Sequence, residues 1–292
     1  MKRTIYALGF FDGVHLGHQA LLTAGKKLAE QTGCKAGVVT FSSHPDTLVL
    51  GKAPSLINTS ADRLKLLQHF DMDTVVELPF DQTLMNMPWQ DFLTLLQEKY
   101  NAAGFVCGHD FRFGNRGEGT AEILASACAE RGLPCAVVPA QTLKDTLISS
   151  SHIRTLLVSG QMEEACRFLG HPHILSGEVV HGRQIGRTIG IPTANLLPPP
   201  ETVALRHGVY ACMAYVDGKA YPAVVNVGSR PTVEGKTVKA EAWLLDFDGD
   251  LYGKTLTLAF HTFLRPEQKF PSLEDLQAQI QKDATATRSV FK

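Results

Sequence analysis

Gly9-Phe10-Phe11-Asp12-Gly13-Val14-His15-Leu16-Gly17-His18 decides the fold of the first half of the chain. It joins a buried strand, expected from Thr4 to Phe10, to a helical pattern over Gln19–Gln31 with Ala20, Leu21, Ala24 and Leu28 at helical spacing. The same alternation continues outward. Ala36–Phe41, Thr74–Leu78, Gly104–Cys107 and Cys135–Val138 read as strands. Between them, helices are expected from Ser60, which caps, to Phe70, from Pro88 to Tyr100, and from Thr120 to Arg131. Strands separated by helices imply a parallel sheet covered on both faces. In such a sheet, ligands bind beyond the carboxyl ends of the strands, where a helix N-terminus offers free N–H groups to a phosphate. His15 and His18, three residues apart, face the same way on the first turn and can steady charge during phosphoryl or nucleotidyl transfer. Surface histidines or a two-histidine metal site are the plainer alternatives, but no third ligand is evident nearby. The glycine pattern of a dinucleotide fold is absent.

The pattern changes near residue 170. Ser151–Ser159 and Gln161–Leu169 read as short helices split at Gly160, and Gly170-His171-Pro172 as a break, giving domains over 1–170 and 171–292. Beyond it, apolar residues alternate (Val209, Ala211, Met213, Tyr215; then Leu256, Leu258, Phe260). Turn signals fall at Asp217-Gly218, Glu234-Gly235 and Asp248-Gly249, so this half is an antiparallel β domain. A final helix is capped by Ser272 with Asp275 three residues on, and carries Leu273, Leu276 and Ile280 on one face. Pro198-Pro199-Pro200 reads as a rigid loop.

At 292 residues, with 44% hydrophobic and 20% charged side chains, the chain suits two globular domains rather than disorder. Its 28 basic and 29 acidic residues argue against a nucleic-acid-binding surface. No apolar run is long enough to cross a bilayer, and the N-terminal residues do not read as a signal peptide. Six scattered cysteines form no Cys-x-x-Cys pair, which points to reduced thiols in the cytoplasm.

Two further constellations carry chemistry. Ser149, Ser150 and Ser151 open a helix with Arg154 one turn on; alone this is a cap, but beside the histidine pair it can reach a triphosphate. In the second half, Gly182, Gly186 and Gly190 recur every four residues, followed by Thr193 and Asn195. On a strand these two share a face, so a hydroxyl and an amide oxygen could meet one Mg²⁺. A glycine-rich hairpin with two polar residues outward is the plainer reading.

His15-Leu16-Gly17-His18 resembles the His-x-Gly-His motif of the nucleotidyltransferase superfamily. Gly9 to Gln19 looks like the start of the bacterial bifunctional riboflavin kinase/FMN adenylyltransferase (FAD synthetase) family. Phe41-Ser42-Ser43-His44-Pro45, with Ser43 where the family has proline, agrees. So do Gly108-His109-Asp110-Phe111-Arg112-Phe113-Gly114 and Ile148-Ser149-Ser150-Ser151-His152-Ile153-Arg154, with Ser151 in place of threonine. Pro192-Thr193-Ala194-Asn195 is similar to the family's kinase motif. Asn226-Val227-Gly228-Ser229-Arg230-Pro231-Thr232 and Glu241-Ala242-Trp243-Leu244-Leu245-Asp246-Phe247 follow in the family's order, with Trp243 where histidine is usual. Asp248 to Lys254 and Phe263 to Glu267 complete the match.

The resemblance implies an α/β plus β fold: a Rossmann-like nucleotidyltransferase domain with a parallel sheet, then an antiparallel β-barrel domain with a terminal helix. It implies a cytoplasmic enzyme that phosphorylates riboflavin to FMN in the second domain and adenylylates FMN to FAD in the first. ATP is co-substrate, Mg²⁺ the cofactor, and no nucleic acid or membrane is involved. Glu241, His15 and His18 would be catalytic. Gly9, Phe10, Phe11, Asp12, Gly17, His44, Ser150, Ser151 and Arg154 would hold ATP for adenylyl transfer. Gly182, Gly186, Arg187, Thr188, Gly190, Thr193 and Asn195 would hold it for the kinase, Thr193 and Asn195 also taking the metal. Arg63, Phe111 and Arg265 would contact flavin. The competing reading is a different small-molecule adenylyltransferase whose β domain binds flavin without catalysis.

Overall fold

Every residue of β1 (Thr4–Leu8) is buried, as a strand covered on both faces requires. Tyr6 and Leu8 face one apolar cluster with Phe92, Leu96 and Leu124. Ala7, pointing the other way, meets Gly25 of α1 (Leu16–Thr32), where an added Cβ would lie 4.0 Å from the Ala7 Cβ. β2 (Lys35–Phe41), β3 (Thr74–Leu78), β4 (Ala102–Gly108) and β5 (Cys135–Val138) complete a parallel sheet in the order β3-β2-β1-β4-β5. The connections run from β1 outward to β3, then jump to β4 on its other side, so the strand order reverses beside β1. In open parallel sheets, ligands bind at the carboxyl ends beside such a reversal. Helices α2 (Ser60–His69), α3 (Trp89–Tyr100) and α4 (Ala121–Glu130) link the later strands.

The structure is a computed structural model that describes residues 3–52, 54–181, 190–232 and 235–292. It divides into two compact units, Met1–Ser55 with Arg63–Ser150, and Leu56–Asp62 with Ser151–Lys292. The parallel sheet is the centre of the first.

The second unit carries α5 (Ser150–Ser159) from Ser151 onward and α6 (Met162–Leu169). Six antiparallel strands follow: β6 (His173–Glu178), β7 (Ala194–Leu196), β8 (Gly208–Val216), β9 (Lys219–Thr232), β10 (Gly235–Leu244) and β11 (Thr255–Arg265). Their order is β6-β11-β8-β9-β10-β7. The sheet curls until its edges meet: the Val180 N–H, just past β6, donates to the Asn195 carbonyl on β7 at 2.9 Å. Among the described residues, that single bridge joins the two edges at one point of a curled, half-barrel sheet. Asp217 and Gly218, both at positive φ, make the two-residue turn between β8 and β9 that the sequence predicts. Glu234 lies outside the described residues.

The seven-residue segment Leu56–Asp62 belongs to this unit although its sequence lies within the first. Leu56 pairs with Thr202, its N–H bonding the Glu201 carbonyl (2.7 Å) and its carbonyl accepting from Val203 (2.8 Å). The Asn58 amide donates to the Ile174 carbonyl, and Asp62 accepts from the Ser176 N–H. These bonds tie the loop before β8 to the β6 edge.

Helix α7 (Leu273–Val290) starts at the expected Ser272 cap, whose hydroxyl accepts from the Asp275 N–H. Its inward face differs from the expected one. Leu276, Ile280 and Asp283 line a cavity, and Ala284 and Thr287 are buried, whereas Leu273 is 56% exposed in the first turn.

Candidate active sites

The loop after β1 is wound tightly. Phe11 (φ 59°), Gly13 (φ 81°) and Val14 (φ 40°) all adopt left-handed backbone, a conformation that costs a branched residue like Val14 about 1–3 kcal/mol. Burial of the Phe11 and Val14 side chains holds it, together with three hydrogen bonds. The Val14 N–H donates to the Phe11 carbonyl (3.1 Å), Gln19 Nε2 to the Val14 carbonyl (2.9 Å) and Ser150 Oγ to the Asp12 carbonyl (3.0 Å). The last bond brings the first residue of α5 to the histidine loop.

Helix α1 begins three residues earlier than the sequence suggests, because His15 itself is the cap: its Nδ1 accepts from the His18 N–H at 3.2 Å. The two imidazoles then stack, 3.6 Å between centroids and 13° between planes. Phe11 packs on His18 from another side. His18 Nδ1 is enclosed and has no hydrogen-bond partner. Burial, reinforced by His15 and then Arg63, holds the His18 ring well below its usual pKa, so it is neutral at neutral pH. A side chain at Gly17 would crowd the stacked histidines: a Cβ there would sit 3.1 Å from the His15 ring, which would have to shift by a few tenths of an ångström.

Phe10 gathers two more of the expected residues. His44 meets its edge at 4.6 Å, and the Arg63 guanidinium lies 4.2 Å over its face. Arg63 is fully buried, donating to the Phe41 carbonyl (2.6 Å) and to Glu77 (3.3 Å), so it supports the loop from beneath. Phe111 follows β4, the strand beside β1, and stacks on Phe113. Gly9 donates its N–H to the Val39 carbonyl. Ser151 and Arg154 follow Ser150 on α5, one turn apart.

In the second unit, register builds the site. Arg265, Val209, Asn226, Glu241 and Asn195 stand opposite one another in succession across β11, β8, β9, β10 and β7. Residues directly opposite share a face, so five strands present one transverse row. Four of the five line a cavity of about 400 Å³ that is roofed by Phe270 and the α7 residues Leu276, Ile280 and Asp283. Trp243, two residues along from Glu241 and so on the same face, lines it too. Asn195 is nearly buried, at 6% exposure. Arg265 is clamped by Asp283, with Nε–Oδ1 at 3.0 Å and Nη2–Oδ2 at 2.8 Å. Asn226 Nδ2 donates to Glu267 at 3.3 Å.

Thr193 lines this cavity and also a neighbouring one of about 100 Å³, bounded by Phe247, Asp248, Asp250 and Tyr252. It stands on the wall the two share. Gly190 is at φ 72° with open space around it. Gly182, Gly186, Arg187 and Thr188 lie outside the described residues. Asn226, Phe270 and Asp283 are absent from the sequence-based site. Asn226 sits in a motif read from the sequence, and Asp283 is the one acid on the cavity face of α7; that break in an apolar stripe was its available signal.

Among the described residues no cluster of three or more His, Cys, Asp or Glu side chains could hold a metal, and no helix is long and apolar enough to cross a membrane. Residues 1–152 match the family model described as FAD synthetase, and residues 169–291 the model described as riboflavin kinase. Bifunctional riboflavin kinase/FMN adenylyltransferases are similar along nearly the whole chain. That of Listeria monocytogenes is 33% identical over 98% of this chain and 92% of its own, and that of Escherichia coli K12 is 36% identical over the same shares. A solved structure from Streptococcus pneumoniae, described as a macrolide-efflux protein, superposes with a TM-score of 0.87 at 31% identity, covering 98% of this chain and 94% of that one. With both family models in order along it and a third of its residues shared end to end with these relatives, the chain belongs to the bifunctional riboflavin kinase/FMN adenylyltransferase family.

Proposed function

We propose that the family's two reactions are run by the two sites just described: the histidine turn makes FAD, and the transverse row makes FMN. In the kinase reaction the terminal ribityl oxygen of riboflavin forms a bond to the γ-phosphorus of ATP while the bond to ADP breaks. Glu241 accepts the hydroxyl proton. Riboflavin would occupy the larger cavity, between Arg265 and the α7 face, and the terminal phosphate of ATP the smaller one. Thr193, on the shared wall beside Glu241, is then where the γ-phosphate crosses, and this placement is the observation that carries the reading. The Thr193 hydroxyl and Asn195 amide are hard oxygen donors on the Glu241 face and fit Mg²⁺, which prefers a few protein oxygens plus substrate phosphates. Bound there, Mg²⁺ would neutralise charge on the β- and γ-phosphates. Gly182 to Gly190 would cover those phosphates.

In the adenylyl transfer a phosphate oxygen of FMN attacks the α-phosphorus of a second ATP and pyrophosphate leaves. The nucleophile is already anionic, so alignment and charge stabilisation matter most. Neutral His18, with an idle Nδ1, and His15 stacked on it can donate to the phosphates, and Ser150, Ser151 and Arg154 supply hydroxyls and a cation. Gly9, Phe10, Phe11, Asp12, Gly17 and His44 shape the ATP side, with Phe111 toward the flavin, while the fully buried Arg63, expected to contact flavin, acts through the Phe10 ring it supports. Six free thiols suit the cytoplasm.

The test is to incubate the purified chain with riboflavin, ATP and Mg²⁺ and follow flavins by chromatography. Glu241→Gln should lower FMN formation by about 10²–10⁴-fold, the usual worth of a general base, and spare conversion of added FMN to FAD. His15→Ala with His18→Ala should stop FAD formation while FMN accumulates. A folded variant of either kind that lost both activities would refute one reaction per site.

A further inference from the structure

A third cavity, of about 130 Å³, lies within the second unit, and neither reaction uses it. The β6 edge at His173–Leu175 forms one wall, and the loop from Pro198 to Leu205 forms the other. Ile57, Asn58, Thr59 and Asp62 lie across them. The four hydrogen bonds from Leu56, Asn58 and Asp62 to both walls fix its shape in advance. The three consecutive prolines add a stiff side, since each holds its own φ. Most of the lining is carbon, from Ile57, Leu175, Val203, Leu205 and Val227. Its mouth lies at Pro200 and Ala204, which are exposed.

The polar side chains on this lining are Asn58, Thr59, Asp62, Thr202 and His173. His173 is 4% exposed, lines the cavity, and has a buried Nδ1 with no hydrogen-bond partner. An orphaned buried nitrogen is costly unless something meets it. Burial pushes the ring down to about 4, against a smaller opposing pull from Asp62, so the imidazole is neutral and Nδ1 can pair with a hydroxyl. An engineered apolar cavity of roughly 150 Å³ takes up benzene, so the volume here suits one six-membered ring.

We propose that this cavity is a binding site, separate from both substrate sites, for a small monocyclic aromatic bearing one hydroxyl, with the ring against the proline wall and the hydroxyl on His173 Nδ1. The probes are phenol and toluene, which share the ring and differ in the hydroxyl. Titrated into the full chain, phenol should bind saturably, read by the imidazole ¹⁵N shift of His173 and by a rise in thermal midpoint. Toluene should bind about tenfold more weakly, the worth of one ordinary hydrogen bond. His173→Phe should abolish the preference for phenol. Ala204→Trp, which closes the mouth from an exposed position, should abolish binding while FMN and FAD formation continue, and it serves if the His173 variant does not fold. The proposal is overturned if phenol gives no saturable response, as a cavity that merely holds a water would show. Equal affinity for the two probes, or binding that survives Ala204→Trp, overturns it as well.

Discussion

Asp283 offers the sharpest quantitative test of how the kinase cavity is held. Its carboxylate is 5% exposed and receives three contacts from Arg265, whose side chain is 17% exposed, and one from Gln279 Nε2 at 3.0 Å. Asp283→Ala leaves a mostly buried guanidinium without its counter-ion. Removing one partner of a buried pair costs roughly 3–5 kcal/mol. The remaining exposure of Arg265 lets water reach part of it, so the expected loss is near the bottom of that range, about 3 kcal/mol. Replacing both partners by apolar residues, Arg265→Met with Asp283→Leu, should recover most of that, because no charge is left stranded. The chain has two tryptophans, Trp89 and Trp243. In a Trp89→Phe background, Trp243 alone reports urea unfolding of the second unit. Both variants should also raise the KM for riboflavin, by about tenfold or more if Arg265 contacts the flavin through a charge-assisted bond, and leave the FMN-to-FAD step unchanged. A loss under about 1 kcal/mol for Asp283→Ala, or a double variant as damaged as the single one, would refute the reasoning.

Three more outcomes are expected. His173 has its pKa lowered in the fold to about 4, so the unfolded chain binds its proton more readily; stability is fully present above about pH 6.5 and falls as pH drops toward 4, by about 2 kcal/mol at pH 5. Urea titrations across that range should show the slope, and His173→Phe should reduce it by that share, leaving what His18, also lowered by burial, contributes. Gly17→Ala pushes a Cβ into the His15 ring and should slow FAD formation by up to about 10²-fold, with FMN formation intact in the same assay. Thr193→Val keeps the shape of the shared wall but removes the hydroxyl; it should lower the kinase rate and raise the Mg²⁺ concentration needed for half-maximal FMN formation, with FAD formation from added FMN as the control.

Local features were the most legible in the sequence. The strand over Thr74–Leu78 falls at the expected residues and the Ser272 cap where cap chemistry puts it, while β1 starts at the expected Thr4 and ends at Leu8, two residues short of Phe10. The start of α1 was displaced because histidine is an uncommon cap, and only the folded loop aims the His15 Nδ1 at the His18 N–H. Thr59 takes the capping role expected of Ser60, accepting from the Asp62 N–H. Half of the kinase row was open to reading: the Asp217-Gly218 turn pairs Val216 with Lys219, and counting back from it sets Val209 against Asn226. The other half depends on how β10 and β7 align, which no local pattern encodes. The pairing of Leu56–Asp62 with residues more than a hundred positions later has no periodic signature at all.

That pairing gives the chain a waiting time. Asp62 leaves the ribosome early, but Ser176, whose N–H it accepts, is made 114 residues later. At about 5–20 residues per second the wait is roughly 6–23 s. During it the parallel sheet can form around a seven-residue excursion whose polar groups have only water for company. The nascent polypeptide must therefore hold a place open in its earlier half for a partner not yet translated, and the β domain acquires its full hydrogen bonding only when the last strands arrive.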